Sequence, residues 1–360
     1  MPSASSPEPA APSPARPVPS GPDGSRPETT APATISSSDE RFTMSPSTYR
    51  TVAAVALALL CTIVVTGAAV RLSGSGLGCS DWPNCSQEGV VQFGDTNQTI
   101  EQVNRLFTGL VSLAVVTAVL GSIRRRPYRR DLVWLSWGLV AGVVGQIVLG
   151  GITVLVHLHP VAVGGHFVLS MILVADGLVL LWRAGQPDGD RAVRVPRPDL
   201  LASRAAVALM VALMFTGPAV TGTGPHAGDA SSHRFGWFLP DVVRVHSVNM
   251  WIFLAVVVVV LFRLARSGAP GDVMRRGYRL LVVIVAQGAI GYTQYELGIP
   301  PWLVALHIAG ATAVLCLTIW FHLGLSGPAA ERNPASPTVG ADTAETSAVT
   351  AGNSNATESA

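Results

Sequence analysis

Histidines stand at the same place in two copies of one sequence pattern. Gln146, Gly150, Pro160 and His166 recur as Gln287, Gly291, Pro301 and His307 with identical spacing. Upstream, Thr66-Gly67-x-Ala69-Val70 recurs as Thr216-Gly217-x-Ala219-Val220, each followed by a Gly-x-Gly. His246 precedes His307 by 61 residues and Asn104 precedes His166 by 62. Asn104 therefore occupies in the first half the position of His246 in the second. Neutral imidazole is a good iron ligand, and two imidazoles facing each other across an apolar helical bundle suit axial ligation of a haem. A lone histidine within a membrane more often just hydrogen-bonds between helices. His246 and His307, set at equal depth by a duplication, fit haem ligation better.

Glu101 lies three residues before Asn104, on the same helix face. Its counterpart in the second half is Val243, so the carboxylate belongs to one site only. Such a residue is either a solvated boundary group or, beside a cofactor pocket, a candidate acid/base or substrate-positioning group. The second role is the one expected here. Arg71, Arg105 and Arg244 lie near the same surface, where they either pair with porphyrin carboxylates or anchor helix ends. Cys79 and Cys85 share an outer loop in which a disulfide can persist. Their spacing lacks the C-x-x-C of dedicated redox pairs, which favours a structural staple over a redox-active pair. Cys61 and Cys316 fall inside apolar runs and are expected to pack. Among the other histidines, His226 sits between glycines near the second site and is placed to approach a cofactor edge. His157, His159 and His233 read as solvated, and His322 as interfacial.

These side chains need a scaffold, and the composition says which kind. The chain has 360 residues, 49% hydrophobic and 13% charged, about half the charge of a soluble domain. A net charge of +2 is too small to argue for nucleic acid. All basic residues are Arg, a composition typical of a GC-rich bacterial genome. Residues 1–50 and 326–360 are rich in Pro, Ser, Ala and Thr and read as disordered tails. Between them lie eight runs long enough to cross a bilayer, near 51–70, 103–122, 132–155, 163–182, 202–220, 245–264, 279–295 and 302–323. The fold expected is an all-α integral membrane protein of eight transmembrane helices, forming two pseudo-symmetric four-helix bundles. The bundles span 51–183 and 202–325, joined by a linker at 184–201.

Orientation follows from arginine placement. The loops after spans two, four and six, with their flanks, hold fifteen arginines, and the opposite loops hold Arg71, Arg234 and Arg244. Both termini and the Arg-rich loops are therefore expected in the cytoplasm. Asn104, His166, His246 and His307 then lie near the outer face.

The segments Ala69-Val70-Arg71-Leu72-Ser73-Gly74-Ser75-Gly76-Leu77-Gly78-Cys79-x-Asp81-Trp82-Pro83-x-Cys85 and Thr221-Gly222-x-Gly224-Pro225-His226-Ala227-Gly228-Asp229 closely resemble the haem A synthases. So do Leu149-Gly150-Gly151-Ile152-Thr153-Val154 and Gly291-Tyr292-x-Gln294-Tyr295. The resemblance covers about residues 50–325 and implies a multi-pass protein of the bacterial cell membrane. It implies haem b ligated by His246 and His307, and haem O as substrate at His166, Asn104 and Arg105. It also implies that a ring methyl of haem O is oxidised to a formyl group, giving haem A for terminal oxidase assembly. It implies that Glu101 is essential to the reaction and that Cys79 and Cys85 form a disulfide or act in turnover. A haem O synthase supplying the substrate, oxidase assembly factors and the lipid bilayer are the implied partners. One departure stands out. Where much of the family opens span two with Glu-x-x-His-Arg, this chain has Glu101-x-x-Asn104-Arg105, so His166 is expected to bind alone. The rival readings are a di-haem electron carrier, a haem chaperone without chemistry and a transporter. Polar residues gathered near one face rather than the midplane disfavour the transporter.

Overall fold

The apolar runs all become helices, and each helix is longer than its run. A computed structural model describes residues 43–85, 89–187, 189 and 191–328. The expected tails lie outside these residues except for 43–50 and 326–328. Helix α1 covers Pro46–Leu72, α2 Thr96–Arg124, α3 Arg130–Leu155 and α4 Pro160–Ala184. Helix α5 covers Arg197–Thr223, α6 Leu239–Arg266, α7 Gly271–Glu296 and α8 Pro301–Gly324.

Their starts obey local chemistry. The Ser45 hydroxyl accepts from Thr48 N at 3.2 Å and the Asp95 carboxylate from Gln98 N at 2.8 Å, satisfying amides that α1 and α2 leave unpaired. Proline opens α1, α4 and α8, where its missing N–H costs nothing. The extensions matter for the site. Glu101, which falls before the apolar run of span two, lies in the second turn of α2.

Seven helices are long and apolar enough to cross a membrane; the exception is α7. It has 26 residues, but Arg275, Arg276 and Arg279 near one end and Gln287, Gln294 and Glu296 further on dilute its apolar character. It lies alongside both α6 and α8, joined to each by a short turn.

Helix neighbours follow the order of the chain. Helix α1 packs on α2 and α4, and α3 on the same two; α5 packs on α6 and α8, and α7 on the same two. Helices α1 and α4 also meet α8, and α4 meets α5. Tyr49, Leu132, Leu139, Leu180, Phe253, Leu264, Leu280 and Phe321 are fully buried between them. Leu113, Phe262 and Val282 point outward, as a surface solvated by lipid tails permits.

The two ends of the helix assembly differ. At one, ion pairs gather: Asp131 takes Arg129, the N-cap of its own helix, at 2.7 Å and Arg183 of α4 at 2.8 Å, and Arg194, just before α5, meets Asp272 of α7 at 2.8 Å. Arg276 lies over the rings of Trp182 and Trp320, 4.4 and 4.7 Å from their centroids. Here the expected linker and tail contribute structure. Strand β1, Arg191–Val193, pairs antiparallel with β2, Ser326–Pro328. At the other end the connecting loops hold one another. Gly76 N donates to Gly228 O at 3.0 Å, Arg71 Nε to His226 O at 2.8 Å, and His226 Nε2 to Ile299 O at 2.7 Å.

Candidate functional site

The two second-half histidines meet. His246 stands in the second turn of α6 and His307 in the second turn of α8, with ring centroids 6.4 Å apart and planes at 66°. Each ring has a glycine behind it. A Cβ on Gly291 of α7 would stand 3.0 Å from His307 Cε1, and one on Gly217 of α5 3.7 Å from His246 Cε1. Thr216 Oγ1 lies 2.8 Å from His246 Nδ1. The threonine hydroxyl also lies 3.4 Å from Leu213 O, so it bridges the imidazole and the α5 backbone. Gln287 Nε2 donates to His307 O at 2.7 Å. Among the described residues, His307 Nδ1 is buried with no hydrogen-bond partner.

The same contacts recur around the first-half residues. Gln146 Nε2 donates to His166 O at 3.1 Å, and a Cβ on Gly150 would stand 3.3 Å from His166 Cε1. His166 Nδ1 is likewise buried and unpartnered. Thr66 Oγ1, the counterpart of Thr216, donates to Asn104 Oδ1 at 2.9 Å. A threonine therefore holds whichever side chain occupies this position of the repeat.

Glu101 is 6% exposed and tied to the loop between α1 and α2. Its Oε2 accepts from Cys79 N at 2.8 Å, and its Oε1 meets Arg105 Nη2 at 2.7 Å. Arg105 also donates to the carbonyls of Asn84 at 3.2 Å, Asp81 at 3.3 Å and Cys79 at 3.4 Å. A disulfide joins Cys79 to Cys85 within that loop. The loop sits close on α2 because residue 78 is glycine; a Cβ there would overlap the Asn97 carbonyl.

Arg105 and Arg71, the arginines considered for porphyrin carboxylates, make their hydrogen bonds to protein. Arg71 reaches Thr221 O at 3.1 Å as well as His226 O, and Arg244 pairs with Asp241 on the exposed surface. His226 ties two outer turns together through Ile299 O. His159 accepts from Val161 N at the start of α4, and its ring lies 6.1 Å from that of His233. His322 Nδ1 lies 2.9 Å from Ser203 Oγ. Sequence reasoning had not identified the threonine and glutamine partners of the histidines. Both types stood in the repeated pattern, which was the available signal.

Among the described residues, no group of three or more His, Cys, Asp or Glu is arranged to hold a metal ion. The chain is thus a multi-pass helical membrane protein with a facing histidine pair near one end of its helices and a duplicated local framework around it. A family model described as cytochrome oxidase assembly protein (COX15-CtaA) matches residues 50–102 and 91–231, and the chain belongs to this family. It is similar to the heme A synthase of Methylobacterium radiotolerans, 26% identical over 342 aligned positions covering 78% of this chain and 92% of the relative. The heme A synthase of Bradyrhizobium sp. (strain ORS 278) is 22% identical over 316 positions, covering 72% and 86%. That of Lysinibacillus sphaericus is 29% identical over 119 positions, covering 33% and 39%.

Proposed function

We propose that this protein is a haem A synthase, a membrane oxidoreductase that converts a methyl group of haem O to the formyl group of haem A for terminal oxidase assembly. The observation that carries this reading is the His246–His307 pair, echoed in the first half with asparagine at one of the two positions. Metal–imidazole bonds run about 2.0 Å, so one metal between two rings separates their centroids by roughly 6 Å. The observed 6.4 Å is of that size. Two imidazoles alone leave a metal short of ligands, which favours a group that brings its own equatorial nitrogens. Haem b, held by His246 and His307, supplies a one-electron redox centre when bound.

The chain's own residues prepare both sites. Thr216 Oγ1 sits against His246 Nδ1 and leaves Nε2 as the ring nitrogen to ligate. Gly217 and Gly291 leave the rings room. Haem O is taken at His166. Asn104 is not an iron ligand, and its amide is held by Thr66, so the opposite face of the substrate stays open for exchange and for oxidant. Glu101 acts on the substrate edge as acid/base or charge stabiliser. Its Oε1 accepts from both Nε and Nη2 of Arg105, at 3.1 and 2.7 Å, and its Oε2 from Cys79 N, so the carboxylate acts from a fixed position. Arg105 orients that carboxylate and ties it to the stapled loop.

In this reading α7 is an eighth span, because its length and its packing between α6 and α8 match those of its neighbours. Helices α1–α4 and α5–α8 then form two related four-helix bundles. The arginine excess at one end supports cytoplasmic termini and haem sites near the outer face. A haem O synthase supplies the substrate, and oxidase assembly receives the product.

The test is to co-express the protein with a haem O source, purify it in detergent and chromatograph its extracted haems. Haem b together with haem A or a hydroxylated haem O is expected. Haem b with unchanged haem O would favour an electron carrier or chaperone.

A further inference from the structure

The two halves differ at the seam between their second and third helices. In the second half an aromatic bridge crosses it: Trp251 of α6 donates from Nε1 to the Tyr292 hydroxyl of α7 at 2.8 Å. The two rings are 54% and 45% exposed, so the bridge lies on the outside of the α6–α7 seam. Trp251 stands five residues after His246, and Tyr292 directly follows Gly291, the glycine behind the His307 ring. The bridge therefore closes the wall beside the histidine pair.

The repeat puts glycine at both positions in the first half. The offset that relates Asn104 to His246 relates Gly109 to Trp251, and the offset that relates Gly150 to Gly291 relates Gly151 to Tyr292. Gly109 is exposed, and among the described residues no atom lies within 4 Å of a Cβ built there. Gly151 is covered by the Trp82 ring, whose Cδ2 a Cβ would meet at 2.6 Å. That indole comes from the loop between α1 and α2, so at these positions neither helix carries a ring to bridge to the other. Residues 86–88 of the loop lie outside the described residues. Their neighbours are remote from the seam: Cys85 N donates to Gly89 O at 3.0 Å, and Gln98 Nε2 to Cys85 Sγ at 3.5 Å. Gln98 is about 16 Å along α2 from Gly109.

The two sites have opposite needs under the proposed function, on which this inference rests. A resident haem b must stay, whereas haem O must arrive and its product must leave. Haem O carries an isoprenoid chain and dissolves in the bilayer, so its direct route is sideways between two helices. The loops above the site are tied down by Arg71, His226 and Glu101. We infer that the α2–α3 seam at Gly109 and Gly151 is the passage by which the substrate porphyrin moves between the lipid and His166, and that the Trp251–Tyr292 bridge closes the equivalent passage in the second half.

The test uses the purified full-length holoprotein in lipid nanodiscs, mixed with vesicles that carry zinc protoporphyrin. Its zinc takes one axial ligand, and it is not turned over. Transfer to the protein is followed by porphyrin fluorescence and should be lost in H166A. G109W places a ring in the open space of the seam and should slow transfer at least about tenfold, equivalent to about 1.4 kcal/mol. L120W adds the same bulk at an exposed position eleven residues further along α2 and should transfer at the wild-type rate. In the second half, W251G/Y292G copies the first-half residues. It should release haem b to apomyoglobin faster by a similar factor, the size expected of an interhelical hydrogen bond in lipid. His166-dependent transfer that G109W leaves unchanged would overturn the passage and leave the site standing. Transfer indifferent to H166A would overturn the site and its passage together. Equal slowing in L120W would assign the effect to added bulk anywhere on α2 and also overturn the passage. Should G109W not fold, haem b release decides, and a wild-type rate in W251G/Y292G sinks the inference.

Discussion

Thr66 and Thr216 occupy equivalent positions of the repeat and hold different partners, an amide at 2.9 Å and an imidazole at 2.8 Å. One residue therefore separates the two halves at this position. Asn104→His should place a second imidazole against Thr66 and turn the first site into a bis-histidine centre. We expect a low-spin six-coordinate absorption and electron paramagnetic resonance signal in addition to that of the second site, with product formation falling as the open face closes. An unchanged spectrum would mean that residue 104 does not face the iron. Glu101→Gln retains a group able to accept from Cys79 N but loses the charge that Arg105 meets. Haem b content should stay near wild type while haem A output falls by about 10²–10⁴, the usual contribution of a positioned acid/base. Undiminished output would remove Glu101 from the chemistry and leave it as an anchor of the stapled loop.

At the scale of elements, α7 and α3 each present a glycine to the histidine of the following helix. The fit is tighter in the second half. A Cβ on Gly291 meets His307 Cε1 at 3.0 Å, and one on Gly150 meets His166 Cε1 at 3.3 Å. Overpacking of this kind costs about 1–3 kcal/mol where the neighbour cannot move aside. Gly291→Ala should lower the haem b to protein ratio and the thermal midpoint more than Gly150→Ala does. Pyridine haemochrome titration and a melting curve measure the two effects, and equal losses would argue against the closer fit. The α7 sequence also explains why hydropathy alone undercounts the helices. Its Gln287 and Gly291 meet His307 and its arginines lie towards the basic end, so its outline is helical while its composition is mixed.

For the whole molecule, the crossing of α7 decides whether the second half matches the first. The turn after α6 and the turn after α7 should then lie on opposite sides of the membrane. Leu297→Cys, at a position 61% exposed, should react with a membrane-impermeant maleimide added to intact cells. Ser267→Cys should react only after permeabilisation. Labelling of both from the same side would return the count to seven spans and separate the two termini. The outer loops impose a second whole-molecule constraint. Arg71, His226 and Gly76 join the first loop, the loop between α5 and α6, and the turn before α8. Arg71→Leu would strand the part-buried carbonyls of Thr221 and His226. It should lower the melting temperature of the assembled protein by several degrees, as expected for the loss of about 1–3 kcal/mol of charged hydrogen bonds.

Spacing alone determined a great deal here. The eight helices, the duplicated Gln-Gly-Pro-His pattern, the pairing of His246 with His307 and the equivalence of Asn104 with His246 all follow from periodic apolar runs and fixed offsets. These are one-dimensional quantities, set by the bilayer thickness and the helical rise. What a side chain touches across helices is not encoded in that way. Tertiary packing alone decided that Thr216 faces the His246 ring and that Glu101 and Arg105 bind the Cys79–Cys85 loop. It also decided that Arg71 joins two outer loops and that Arg191–Val193 pairs with Ser326–Pro328. Each contact depends on rotation about a helix axis and on the path of a loop. A difference of one residue turns a helical side chain by about 100°, and the sequence pattern constrains that angle only where apolar and polar faces contrast. In a membrane that contrast is weak, because lipid-facing and core-facing residues are both apolar, so the packing of neighbouring helices sets the rotation.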